Sequence, residues 1–211
     1  MSEPVKRRYD STRRQQQARE NRRRILDAAH ELFVDRGYGR TTISEVAARA
    51  GVAVETVYTA FTNKPTLLHR AWDVAVGGDD QDVHLLDRPE IRALFDEADL
   101  PTRLERFAVV NTRIMRRTAL LHLAVRAAAA SEPAAAALLA EMDRARLEAM
   151  GVHARAAADT GQLAVPADEC RDVLWSTTDG ALWHALVRQR GWSDERYAAW
   201  LGRLWTDLLT R

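Results

Sequence analysis

The chain predicts an all-α fold, and three observations carry that expectation. Apolar residues recur at i, i+3 and i+4 in successive segments of its 211 residues, the spacing that lines one side of a helix. Runs that alternate apolar and polar, the mark of half-buried strands, are absent. Glycines and prolines fall between the periodic segments, at Gly37, Gly51, Pro65, Gly77, Pro89, Pro101, Pro133 and Pro166, where helices would stop or start.

Residues 1 to about 18 lack apolar periodicity and are expected to be disordered on their own. Ile25, Ala28, Ala29, Leu32 and Phe33 then stripe a helix that Gly37 ends. Thr42, with Glu45 three residues on, has the form of a capping box ahead of Ile43, Val46 and Ala47. Gly51 suits the left-handed residue that closes such a helix, and Val57 with Phe61 makes the buried side of the next one. Ala47 and Ala50 are small enough for the two short helices to approach closely, so residues 42–61 predict a helix-turn-helix. Asn63-Lys64-Pro65 halts the second helix, and a connecting helix over 66–76 follows. Further on, the pattern predicts an exposed loop over 77–88, a short helix over 89–97, and a helix opening at Pro101 and carrying Leu104, Phe107, Ala108, Asn111, Ile114 and Met115. A separate helix over 118–130 is expected next, then one over 133–159 disturbed at Gly151, and two last helices over 167–190 and 193–210.

The final segment is rich in aromatics: five of the six tryptophans lie in the last 37 residues. Tyr197, Trp200, Leu201, Leu204, Trp205 and Leu208 give the last helix a broad apolar face. Gly180, Ala181 and Ala185 would admit another helix at close range. The pair reads as half of a four-helix bundle between two subunits, with a bundle inside one subunit as the alternative.

Charge is uneven along the chain. Residues 1–70 hold 14 Lys or Arg against 8 Asp or Glu, a net +6, while residues 71–211 hold 17 against 22, a net −5. A basic N-terminal module on a mildly acidic body suits a phosphate-binding head. Nine of the basic residues precede residue 25; that stretch could lie along phosphates, enter a minor groove, or supply only weak, sequence-blind attraction. Cys170 is the only cysteine, so no intrachain disulfide can form and a reducing cytoplasm is expected. No apolar run predicts a membrane span, and the polar start is unlike a secretory signal.

The run from Ile25 through Leu32-Phe33, Gly37, Thr41-Thr42, Ile43, Val46-Ala47, Ala50-Gly51-Val52, Thr56, Tyr58, Phe61, Lys64 and Leu67-Leu68 closely resembles the tetracycline-repressor (TetR) family. A weaker likeness lies in Arg190-Gly191-Trp192-Ser193 ahead of the last helix. The resemblance implies a basic arm over residues 1–19, a DNA-binding head over 20–65, and a helical effector-binding and dimerisation body over 66–211. It implies a dimeric, cytoplasmic transcriptional regulator, expected to be a repressor, on a pseudo-palindromic double-stranded operator. A small-molecule effector held in the body would change the separation of the heads.

By position and chemistry, Thr42, Tyr58 and Lys64 are suited to phosphate, with Arg40 and Arg49 as flanking backbone contacts. Ala53, Val54, Glu55 and Thr59 would face bases, Glu55 accepting from cytosine and the methyl groups meeting thymine. Two departures from the family pattern stand out: Val54 in place of a common serine, and Ala60 in place of a common histidine or tyrosine. For the effector, the polar or aromatic residues on apolar helices are Phe107, Asn111, Met115, His122, Arg126, Met142, Trp175, Thr178, Asp179 and Trp183, a set that suits a hydrophobic or aromatic molecule. The histidines have no ligand spacing, so no metal or cofactor is expected. An enzyme would need a catalytic motif, and neither a zinc-binding His pair, a phosphate loop nor a serine elbow is present. The remaining alternative is a ligand-binding or protein-interaction module that does not read DNA.

Overall fold

Two separately packed helical units make up the chain, residues 1–74 and residues 75–211. The structure, a computed structural model, describes residues 5–81 and 83–210, with side chains described from residue 13 onward. Among the described residues no strand forms; one isolated bridge pairs Leu163 with Thr210.

The first unit holds α1 (Val5–Arg36), α2 (Ile43–Ala50), α3 (Val54–Phe61) and most of α4 (Lys64–Gly77). Ile25, Leu26, Ala29 and Phe33 of α1, Val46 and Ala47 of α2, and Val57 and Phe61 of α3 are all buried. The loop from α1 to α2 is pinned by the buried Thr41, whose hydroxyl donates to Leu32 O at 3.1 Å and Gly37 O at 2.9 Å. Tyr38 packs its ring 5.5 Å from that of Phe33.

Ahead of residue 20 the structure differs from expectation. Instead of an irregular arm over residues 1–19, the chain is helical from Val5, continuous with the rest of α1; residues 1–4 lie outside the described residues. The segment carries no apolar stripe in its sequence, so hydrophobic spacing gives no sign of this helix. Gln, Arg and Ala are good helix formers without one, and i,i+4 hydrogen bonds run from Gln16 to Glu20 and from Gln17 to Asn21.

The second unit is built on α6 (Leu100–Ala128), against which α5 (Pro89–Phe95), α7 (Pro133–Ala158) and α10 (Asp194–Leu209) pack. α8 (Ala167–Thr177) lies on α7. The break expected near residue 117 does not occur. No glycine or proline interrupts Arg116-Arg117-Thr118, and the Thr118 hydroxyl bonds back to Ile114 O at 2.9 Å. Gly151 likewise stays inside α7 without disturbing it.

The helix expected over 167–190 is broken instead. Gly180 adopts φ +87°, leaving a short α9 (Ala181–Trp183) that runs on as a π-helical turn over His184–Gln189. A Cβ at Gly180 would sit 2.8 Å from Ala119 Cβ and 2.9 Å from its Cα. The close approach that glycine permits is therefore to α6 of the same chain. The π turn, with its extra residue per turn, has no signature in the hydrophobic spacing.

The core of this unit is aromatic. His153 lies between Phe95, with centroids 4.9 Å apart, and Phe107, at 4.1 Å, and Phe107 stacks in turn on Trp205 at 5.1 Å. The buried Arg103 donates to Glu97 O and to Ala156 O at 2.8 Å, tying the turn before α6 to α7. Cys170 is fully buried, and burial pushes its thiol up to about 11.

Candidate nucleic-acid interface

α2 is closed at both ends by its own sequence. The Thr42 hydroxyl accepts from Glu45 N at 3.2 Å, and Glu45 Oε2 accepts from Thr42 N at 2.8 Å, completing the capping box. Those bonds, with Arg36 beside it, hold the Glu45 carboxyl below the usual carboxylate range. Gly51 takes φ +64° and returns its N–H to α2 carbonyls. The chain then turns sharply into α3, whose buried side is Val57 and Phe61.

The opposite side of α3 presents Ala53, Glu55, Tyr58 and Thr59, all exposed, with Val54 half-buried among them. Tyr58 is 51% exposed, a large value for an aromatic side chain on a well-packed unit. The Thr59 hydroxyl donates to Glu55 O at 2.8 Å, which leaves its methyl available on the same face. α3 has no side-chain cap: the N-cap residue is Ala53, so it is this position, and not Val54, that lacks the capping hydroxyl. Thr56 N–H turns to Ala53 O at 3.0 Å, and no capping side chain accepts from the first turn of α3.

Lys64 is placed by its neighbours. Its Nζ lies 4.2 Å over the Tyr38 ring and 3.4 Å from Gly39 O, at the start of α4 where Asn63 Oδ1 accepts from Thr66 N. The buried Tyr38 platform beneath Lys64 carried no signal in the sequence. Of the two flanking arginines, Arg40 donates to Arg36 O and Arg49 pairs with Glu31 within the unit. Both remain exposed, but Arg49 already has a carboxylate partner, and so is a weaker phosphate ligand than its charge alone implies. Arg22 and Arg24 of α1 also flank the turn and the end of α3, which residue spacing alone did not single out.

In the second unit the residues read as an effector set divide into two groups. Phe107 belongs to the aromatic stack, and Trp183 is buried with its Nε1 donating to Asp194 at 2.9 Å. Met115 lies against Gly180 at the α8–α9 break, and Asn111 is buried on α6 with its amide nitrogen lacking a hydrogen-bond partner. The other group does come together. Arg126 of α6 pairs with Asp179 at 3.1 Å, and Arg146 of α7 pairs with Asp143 at 2.8 Å while its guanidinium lies 4.9 Å over the Trp175 ring. Trp175 donates to Asp143 O, and the buried Thr178 hydroxyl is used on Leu174 O. His122 is buried within reach of these charges; desolvation, then Arg126 and Arg146, push it down to about 4, so its imidazole is neutral. Met142 of α7 is buried. Arg146 and Asp143 join this group by geometry that no one-dimensional pattern foretold.

Comparison with known proteins agrees with the head's geometry. Residues 25–71 match the model for bacterial regulatory proteins of the tetR family. The transcriptional regulator TtgR of Pseudomonas putida is 38% identical over 61 residues, 29% of each chain. The chain spans about three tenths of the length of the curated relatives it matches. Among solved structures, a TetR-family regulator from Rhodococcus sp. superposes with TM-score 0.66 at 20% identity, covering 91% of this chain and 99% of that one. FadR from Bacillus subtilis, solved in complex with stearoyl-CoA, superposes with TM-score 0.67 at 18% identity, covering 88% and 97%. No helix among the described residues is long and apolar enough to cross a membrane. The tetR-family likeness in sequence thus lies in the head, residues 25–71, while the chain as a whole shares the fold of these solved structures.

Proposed function

We propose that the chain is a ligand-responsive transcriptional regulator, a repressor that binds a pseudo-palindromic duplex operator as a homodimer in the cytoplasm. The observation that carries this reading is the outer side of α3: Ala53, Glu55, Tyr58 and Thr59 stand exposed on a short helix anchored by Val57 and Phe61. An α-helix of that width fits a major groove. In this reading residues 20–65 read DNA, and residues 66–211 bind effector and dimerise. Tyr58, Lys64, Arg40 and the first turn of α2 meet phosphates, while Ala53, Val54, Glu55 and Thr59 meet bases.

The effector site in this proposal is the group around His122: Arg126, Met142, Trp175, Thr178 and Asp179, joined by Asp143 and Arg146. It suits an aromatic or hydrophobic molecule with a polar anchor, the aromatic part on Trp175 and Met142. Dimerisation would use the outward faces of the last two helices, where Leu182, Leu186, Trp200, Leu204 and Leu208 remain partly or fully exposed.

The test begins with selection of bound sequences from a random duplex library, followed by binding titrations in rising KCl. The affinity is expected to fall steeply with salt. Lys64→Ala should weaken binding to all duplexes and lower the slope by about 1. Glu55→Ala and Thr59→Ala should each relax one position of the selected sequence at a cost of about 1–3 kcal/mol. Failure to enrich any sequence would instead favour a ligand-binding module that does not read DNA.

A further inference from the structure

Arg22 and Arg24, at the end of the basic stretch of α1, lie near α3 and the turn before it. The Arg22 guanidinium sits 4.7 Å over the ring of Phe61, the last residue of α3. Arg24 Nη1 comes within 3.8 Å of where a Cβ on Gly51 would stand, at the turn that begins α3. One turn of α1 therefore lies beside the last residue of α3 and the turn that precedes it. From Asn21 back to Val5 the helix runs 17 residues further, about 25 Å at 1.5 Å per residue.

Where its side chains are described, this rod stands open. Residues 13–20 are exposed without interruption. Residues 5–24 carry nine Lys or Arg against two Asp or Glu. Of the described acidic groups nearby, Glu20 accepts from Gln16, and Asp27 is 3.9 Å from Arg23 with both ends in solvent. A helix with no buried face is marginal in water, and repulsion between like charges weakens it further. Such a segment is best stabilised by an anionic partner. At 100° per residue Arg13, Arg14, Arg19, Arg22, Arg23 and Arg24 spread around the whole circumference. A membrane-surface helix would gather its charges on one face and apolar residues on the other; residues 13–20 offer only Ala18 as an apolar side chain. Charge on all sides suits a rod bordered by two rows of phosphates.

We propose that this arginine-rich extension of α1 is a second DNA-contacting element, which docks on the phosphates flanking the base pairs that α3 faces and binds them without reading sequence. It rests on the reading of the head as a DNA binder and extends it. The extension leaves the head at α3 itself, so a duplex seated on α3 is the nearest anionic surface available to it.

The test uses the full chain and its variant Arg13→Gln, Arg14→Gln, Arg19→Gln, glutamine being chosen to preserve helix propensity, with circular dichroism to check folding. Both are titrated by fluorescence anisotropy against the selected duplex, extended by ten base pairs on each side, and against a random-sequence duplex of equal length, from 50 to 300 mM KCl. The variant is expected to bind the selected duplex at least tenfold more weakly at 100 mM KCl. Its salt slope should be lower by about 2–3, at roughly 0.9 for each phosphate that is no longer neutralised. Its hydroxyl-radical footprint should lack the flanking protections, while selection returns the same central sequence. An unchanged slope and footprint in a folded variant would overturn the proposal, as would tighter arginine-dependent binding of the wild type to phosphatidylserine vesicles than to either duplex. If the wild type enriches no sequence, the regulator reading falls, and the slope difference on the random duplex still decides whether the extension binds DNA.

Discussion

His153 shows how a single buried ring links packing to pH. It is stacked between two phenylalanines, and burial, with Arg103 nearby, pushes its imidazole down to about 4 from an ordinary 6.5. Below pH 6.5 the unfolded chain takes up a proton that the folded chain refuses, so stability must fall as pH drops from 6.5 toward 4 and be fully present above 6.5. His122 contributes in the same window and direction. Asp79, held down to about 2 by its bidentate pairing with Arg88, acts only below its ordinary 3.8, so the two effects separate on the pH axis. His153→Phe keeps the stack and removes the titration. Its melting temperature should therefore drop less between pH 7 and pH 5 than that of the wild type, in scanning calorimetry at both pH values. An equal drop would mean that the stack is not the acid-sensitive element.

Among the elements, α2 and α3 make an instructive pair. The capping box at Thr42 and the left-handed Gly51 were both legible in the sequence because a cap is a local device: the residues that form it are three apart in the chain. α3 starts on Ala53 with no such device, so its order depends on Val57 and Phe61 packing inward. Ala53→Ser should supply the missing acceptor and raise stability by about 1 kcal/mol in urea denaturation. A fall in stability would mean that this end of α3 is already satisfied. What the sequence did not reveal shares one character. The helical start of α1 has no apolar stripe, the unbroken α6 has no punctuation to confirm or deny it, and the break at Gly180 depends on Ala119, far away in the chain. The exposed side of α3 was legible for the reason the caps were, since Ala53, Glu55, Tyr58 and Thr59 follow the fixed spacing of one short helix. The group around His122 was half-legible: Arg126 and Asp179 stood out as charges on apolar helices, but their pairing, and the part played by Asp143 and Arg146, exist only in three dimensions.

At the scale of the molecule, the proposed assembly rests on apolar surface left on the last two helices. Tyr197, Leu201 and Trp205 of α10 turn fully into their own unit, whereas Trp200 and Leu204 are only partly buried against it and Leu208 is exposed. A two-fold reader needs two such chains, with α3 helices about 34 Å apart to meet successive turns of one face of a duplex. Leu204→Glu with Leu208→Glu should convert a dimer to a monomer in light scattering at micromolar concentration and weaken operator binding in parallel. Leu208 is exposed and Leu204 is only partly buried against the core, so circular dichroism that shows retained helical content separates a lost interface from a lost fold. A variant that remains dimeric would move the interface elsewhere.

Cys170 offers a practical dividend. Its sulfur is sealed inside the second unit and stays protonated at neutral pH, so a maleimide reagent would find it inert. Any new thiol placed on the surface, for instance by Gln16→Cys on the basic rod, would then take up dye alone, without removal of the native cysteine. One fluorophore per chain could follow the approach of that rod to labelled DNA in real time.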